Sequence, residues 1–253
     1  MLKRSKLLLF LCYNEIGDFM KLDIVNLSKS FGDKEVLKEI NFTFEEGKIY
    51  GLLGRNGAGK TTLFNCLNGD IECSGNFYLE DEYGKNKLNY SDIGYVVSTP
   101  IVPEFLTAKE FLEFFLDINK DRITDLKDID YYFDFIKIDK EDQNKLLKDY
   151  SHGMKNKMQM LINIISNPKV ILLDEPLTSL DIVVQEDMKK MFKDIKKDHI
   201  IIFSTHILEL ATDLCDEIVI INNKELELVE KNNLGTRKYK DKIIKALKDE
   251  KND

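Results

Sequence analysis

No run of apolar residues in this 253-residue chain approaches the roughly 20 that a helix needs to cross a bilayer. Any membrane role expected of it is therefore peripheral. Cysteine is scarce. Cys12, Cys66, Cys73 and Cys215 form no C-x-x-C pair and no metal-like spacing, which argues against a disulfide scaffold or a zinc module and favours a reducing compartment. Positive charge is in deficit, with 37 Lys and Arg against 45 Asp and Glu, a net charge of −8. That balance argues against a nucleic-acid binder acting through bulk positive charge, because neutralising phosphates requires clustered cations. An anion held by a local site is still open to it. Repeats and low-complexity linkers are missing as well. What is present is 43% apolar and 32% charged residues, the composition of a globular protein with a heavily charged surface, at a length that suits one large domain or two small ones.

Lys3, Arg4 and Lys6 precede an apolar run from Leu7 to Tyr13 that looks superficially like a signal peptide, yet no A-x-A-like cleavage site follows. Met20 opens directly onto the alternating segment Leu22–Leu27, which reads as a strand. Residues 1–19 are expected to lie outside the fold, with a short membrane-surface anchor as the alternative. Further strands are expected at 41–44, 48–53, 76–80 and 93–97, and a helix from Lys60 to Leu67. Between Leu106 and about Ile165 the pattern is helical, with many charges. Continuous aliphatic runs then follow at Val170–Leu173, Ile200–Phe203 and Ile218–Ile221, the first two separated by a helical stretch near 181–197. Such runs signal parallel strands covered on both faces. Asn222-Asn223-Lys224 suggests a hairpin, and Tyr239, Ile243, Ile244 and Leu247 are spaced as an amphipathic helix.

Two segments carry chemistry. Gly54-Arg55-Asn56-Gly57-Ala58-Gly59-Lys60-Thr61 fits G-x-x-x-x-G-K-[ST], and Thr62 follows it. Gly57 and Gly59 let successive N–H groups curl towards phosphates at a helix start, Lys60 adds positive charge near the β- and γ-phosphates, and Thr61 offers a hydroxyl to Mg2+. The motif sits between a buried strand and a helix, as its chemistry requires. Downstream, Val170-Ile171-Leu172-Leu173-Asp174-Glu175-Pro176 delivers two carboxylates where an apolar strand emerges. Alone, this describes a strand ending in a solvated acidic turn. Beside a complete phosphate loop, Asp174 becomes a Mg2+ ligand and Glu175 the group that polarises an attacking water.

With these motifs the chain resembles an ATP-binding cassette (ABC) ATPase from about Leu22 to Val229. Tyr150-Ser151-His152-Gly153-Met154-Lys155 resembles the family's signature motif, in which Ser151 and Gly153 would meet the γ-phosphate of ATP held by a second subunit. Ser179-Leu180-Asp181 resembles the D-loop, and His206 the switch histidine at the γ-phosphate. Phe31 matches the aromatic that stacks on adenine. Where the family usually carries glutamine after G-Y-x-x, this chain has Ser98, which keeps a hydroxyl for Mg2+ or its water at shorter reach. His152 stands where the first signature glycine is usual.

The resemblance implies an α/β fold, a P-loop NTPase of the ABC ATPase kind, with a mainly parallel sheet core, a helical subdomain and a small antiparallel β subdomain. Residues 20–253 would form the ABC ATPase domain, with the helical subdomain inserted at about 99–165. It further implies ATP hydrolysis with Mg2+, a dimer around two ATP molecules, and a separate membrane permease docked on the helical insertion, where Phe105, Phe111, Phe114 and Phe115 are candidates for contact or for core. The expected place is the cytoplasm, peripheral at the inner face of the cell membrane. A compact single cassette and the S-H-G-M-K signature resemble exporters of the ABC-2 type, with an importer subunit ranked below that reading. The alternative is a soluble ABC-type ATPase acting on ribosomes or DNA, against which stand the single phosphate loop, the lack of sustained heptads and the acidic balance.

Overall fold

A computed structural model describes residues 20–121, 123, 126–178, 180–229 and 243. The expectations for residues 1–19, Ser179, Tyr239, Ile244 and Leu247 lie outside the described residues. Two sheets carry the fold. The larger has the order β10-β9-β3-β8-β7-β6, where β3 is Ile49–Leu53, β6 Ile93–Val96, β7 Val170–Asp174, β8 Ile200–Thr205, β9 Glu217–Asn222 and β10 Glu225–Val229. Its strands β9, β3, β8, β7 and β6 run parallel, and β10 returns antiparallel on β9 through the Asn223-Lys224 turn, where both residues have positive φ. The smaller sheet is antiparallel, in the order β2-β1-β4-β5, with β1 Lys21–Phe31, β2 Lys34–Glu45, β4 Ser74–Asp81 and β5 Gly84–Lys87.

Side-chain alternation explains why the central strands are apolar throughout. In β7, Val170 and Leu172 enter one core cluster while Ile171 and Leu173 enter another. In β8, Ile200 and Ile202 divide from Ile201 and Phe203 in the same way. With a period of two, each strand feeds two cores, so every position is buried. On one side lie helix α1 (Lys60–Asn68), through Leu63, Phe64 and Leu67, and the antiparallel sheet, through Leu22, Ile24 and Phe44. The other side holds the helical insertion and the helices that follow it. These are α2 (Ala108–Asn119), α3 (Ile129–Phe135), α4 (Lys140–Gln143), α5 (His152–Ile165), α6 (Ile182–Ile195) and α7 (Leu208–Leu214). Among the described residues no helix is long and apolar enough to cross a membrane.

Several elements extend the sequence reading. β1 and β2 are longer than the short runs at 22–27 and 41–44, because β1 continues past bulges around Asn26, whose φ is 52°. There the alternation that marks a strand in sequence is interrupted, while the pairing goes on. Strand β5, Gly-Lys-Asn-Lys, is wholly exposed and has no apolar pattern to show it. Helix α7 is a further addition, seven residues long. The phenylalanines of the insertion divide: Phe111 and Phe115 pack on the core, whereas Phe105 and Phe114 are exposed.

Leu172, fully buried in a central strand, sets the scale of this packing. Leu172→Ala is expected to lower unfolding free energy by about 2–5 kcal/mol in urea titration. Tyr83→Ala, at an 84% exposed residue, is expected to stay within about 0.5 kcal/mol of the parent.

Candidate active site

The carboxyl ends of the parallel strands β3, β7 and β8 lie side by side, and the loops leaving them gather one polar cluster. The loop after β3 begins where the Gly54 amide donates to the Thr205 carbonyl at 3.3 Å, tying it to the end of β8. A Cβ at Gly54 would stand 2.4 Å from Ile221 Cγ2, so close approach to β9 demands glycine there. Gly59 caps α1 in the left-handed region, with φ 108°, and contributes no side-chain bond to the helix start. The first amides of α1 therefore keep donors available for an anion, with the helix dipole behind them.

Lys60 is buried to 6% exposure. Its Nζ donates to the carbonyls of Gly54 at 2.8 Å and Arg55 at 3.2 Å, and stands 3.4 Å from Glu175 Oε1. Thr61 Oγ1 donates to Asp174 Oδ2 at 2.7 Å. The other oxygen of Asp174 accepts from Ser204 Oγ at 2.6 Å. Directly after β7 the chain turns at Glu175 with φ 48°, a costly conformation for a non-glycine residue that is held by its amide donating to Ser204 O at 3.2 Å and to Ser204 Oγ at 3.1 Å. The Glu175 carboxylate then meets His206 Nδ1 at 3.0–3.1 Å and the Thr178 hydroxyl at 3.3 Å. Tyr95 in β6 donates to Asn65 Oδ1 at 3.1 Å, and burial, then the nearby Asp174 charge, pushes its phenol above the usual range.

Lys60, Thr61, Asp174 and Glu175 line a cavity of about 380 Å3 that also takes in Asn56, Gly57, Gly59, Thr62 and Ser98, while His206 stands behind Glu175 and outside the lining. Ser98 thus faces the same space as Thr61 and Asp174. Thr61, Ser98 and Asp174 are all oxygen donors, and no group of three or more His, Cys, Asp or Glu among the described residues makes a protein-only metal cage. One carboxylate with hydroxyls suits a hard cation such as Mg2+ that takes its remaining ligands from water and phosphate. A Cβ on Gly59 would press Val36 and Leu37 at 3.1 Å in a left-handed backbone, so this turn of the loop favours glycine.

The signature-like residues stand apart from this cavity. Ser151 caps α5, accepting from the Met154 amide at 3.2 Å, and is exposed. A Cβ on Gly153 would meet Leu180 and Val184 at 3.5–3.6 Å, so the start of α5 abuts the start of α6. There Asp181 is itself a cap, accepting from the Val184 amide at 3.0 Å. Phe31, at the end of β1, is 52% exposed and pairs in register with Lys34, which lines the cavity.

Four cavity or support residues are not marked by the sequence reading: Ser204, Thr178, Lys34 and Val36. Ser204 ends the run Ile200–Phe203, and a lone hydroxyl at the carboxyl end of a buried parallel strand is the signal that marks it.

The family model described as ABC transporter matches residues 37–178, more than half of the chain. An uncharacterised ABC transporter ATP-binding protein of Methanocaldococcus jannaschii is 37% identical over 206 residues, which are 79% of this chain and 74% of the relative. The phosphonates import ATP-binding protein PhnC of Fusobacterium nucleatum is 32% identical over 231 residues, covering 83% of this chain and 92% of its own length. A solved ATP binding subunit of an ABC transporter superposes with a TM-score of 0.72 at 22% identity, over 88% of this chain and 99% of that one, and so shares the fold. The loop that holds Lys60 and the strand end that carries Asp174 and Glu175 both fall inside or at the heart of the matched span, and the chain belongs to the ABC transporter ATP-binding family, as an ATP-binding ATPase.

Proposed function

We propose that this ATPase works as one of two cassettes closing around two ATP-Mg, and that it drives export through a separate membrane permease. The observation that carries the catalytic part is the meeting of Lys60, Asp174, Glu175 and His206 at the shared edge of β3, β7 and β8. In this reading the amides of residues 57–62 and Lys60 hold the phosphates, a task for which α1's free N-terminus is suited. Thr61, Asp174 and Ser98 would hold Mg2+, which when bound neutralises charge on the phosphates. Glu175 takes the proton of the attacking water, with His206 and Thr178 fixing its carboxylate. When phosphate takes over Lys60 as partner, the Lys60–Glu175 contact at 3.4 Å is released and Glu175 turns to water.

Ser151 and Gly153 lie outside the phosphate cavity of their own chain. This supports a second subunit whose signature segment completes each site, coupling nucleotide state to dimer closure. Ile182 and Val183, exposed beside Asp181, are suited to the same interface. The permease side is assigned to the insertion: Phe105 is 79% exposed, while Phe114 and Ile118 share one face of α2 at i and i+4. Phe111 and Phe115 are withdrawn from that role by their packing. Export rests on the S-H-G-M-K signature and the compact cassette. The protein would then sit at the cytoplasmic face of the membrane.

Glu175→Gln is expected to retain ATP binding while phosphate release falls about 100-fold or more; steady-state turnover near the parent rate would remove Glu175 from its role. Ser98→Gln is expected to change the Mg2+ concentration for half-maximal activity more than ATP affinity, and an unchanged Mg2+ titration would show that Ser98 does not bear on the metal. Phe105→Asp with Phe114→Asp is expected to leave basal ATPase intact and abolish recovery of a multi-spanning membrane protein on gentle purification. Recovery of ribosomal or DNA-associated proteins by the parent would overturn the transporter reading itself.

A further inference from the structure

Phe31 is an exposed aromatic at a strand end, yet one face of its ring is already covered. Lys29 Nζ stands 4.8 Å from the ring centroid. The pairing follows from the strand: residues at i and i+2 share a face of β1, and the bulges between Ile24 and Ser30 set which face that is. The ammonium is itself anchored, donating to the Glu72 carbonyl at 2.6 Å on the loop between α1 and β4. A lysine on a flexible stem seldom holds one geometry, because ordering it costs side-chain entropy. Here a carbonyl and a ring face together fix it.

We propose that Lys29 is a positioning residue for nucleotide recognition. It clamps one face of Phe31, so that the opposite face alone is presented to the purine. The inference rests on the reading of Phe31 as the base-stacking residue and adds to it a cation that decides how the ring is held. Physically, the ammonium is attracted to the ring quadrupole, and its bond to Glu72 O prevents it from following solvent. The ring is thereby tethered to the loop that leaves the phosphate-binding helix, and base and phosphates are held in one frame. Lys29 reaches no reacting atom, so its effect falls on binding of the nucleoside and leaves the chemical step alone.

The test compares Lys29→Met, Lys29→Arg, Phe31→Ala and the double variant Lys29→Met/Phe31→Ala in the purified full chain. ATP KM and kcat are measured, with inhibition by inorganic tripolyphosphate, which has phosphates but no base. Lys29→Met is expected to raise KM for ATP about two- to five-fold, the range of an exposed cation–ring contact. Unchanged kcat and unchanged tripolyphosphate inhibition should accompany that rise. Lys29→Arg should restore KM, since guanidinium also stacks on rings. In the Phe31→Ala background, Lys29→Met should add nothing. If Phe31→Ala raises KM and Lys29→Met does not, the positioning role is overturned and the base-stacking reading stands. If Phe31→Ala leaves KM unchanged, the base-stacking reading fails and this inference with it. Equal loss of ATP and tripolyphosphate in Lys29→Met would show a fold support acting through the Glu72 loop, and would also overturn the proposal.

Discussion

Asp174 stands where three parallel strands end, and both of its carboxylate oxygens are taken. Thr61 from the loop after β3 holds one, and Ser204 from β8 holds the other. A carboxylate at 5% exposure is tolerable only with such partners, because burying the charge without them costs several kcal/mol. The same Ser204 hydroxyl accepts the Glu175 amide and thereby stabilises the left-handed turn that leaves β7. One small side chain thus sets the direction of Asp174 and the backbone of Glu175 together. The histidine contact follows from that turn, since it brings the Glu175 carboxylate to His206 just beyond β8. Lys60 completes the ring of contacts from the opposite side.

This arrangement explains which parts of the fold could be read from residues alone. β7 and β8 were visible because a strand buried on both faces must be apolar at every position, and few other elements of five or six residues must be. The phosphate loop is legible because backbone geometry imposes its glycines: a Cβ has no room at Gly54, and Gly57 and Gly59 take positive φ. Strand β5 gave no such signal. It pairs with β4 by its backbone, Lys85 adds only surface contacts to the Tyr78 ring and Asp23, and all four residues are exposed. β1 and β2 are legible in part, since bulges from Ile24 to Ser30 break the alternation and the pairing resumes only in a shifted register. Ser204 was hidden for a different reason. Its role depends on a neighbour 30 residues away in sequence, which parallel pairing brings alongside through the register Asp174 opposite Ser204.

The aromatic cluster of the insertion shows the same limit of one-dimensional pattern. Phe114 and Phe115 are adjacent, so on a helix they point about 100° apart, and one packs on the core while the other is exposed. Composition alone treats them alike. Their division depends on how α2 is set against α3 and α5, whose side chains Phe133 and Leu161 share the cluster that receives Phe111 and Phe115. The capping box of Thr107 and Glu110 fixes where α2 starts and therefore which residues fall on its outer face.

The helices capped by Ser151 and Asp181 are also joined to the insertion by one buried contact. Helix α5, capped by Ser151, leads through a short segment into β7, which ends at Asp174. Lys157, on α5, is 8% exposed, and burial pulls its ammonium below the usual lysine range. It reaches the Lys137 carbonyl after α3 at 3.4 Å and stands 3.9 Å from Asp187 on α6, which Lys137 also contacts. Three elements therefore meet at one desolvated cation: the helix that Ser151 caps, the helix that Asp181 caps, and the insertion. In a low-dielectric setting such a node resists separation more than a surface ion pair does, because pulling it apart leaves a buried charge without partners. The Lys157 node thus ties α5, α6 and the residue after α3 together, while the Asp174–Ser204–Thr61 network ties the loop after β3 to the ends of β7 and β8.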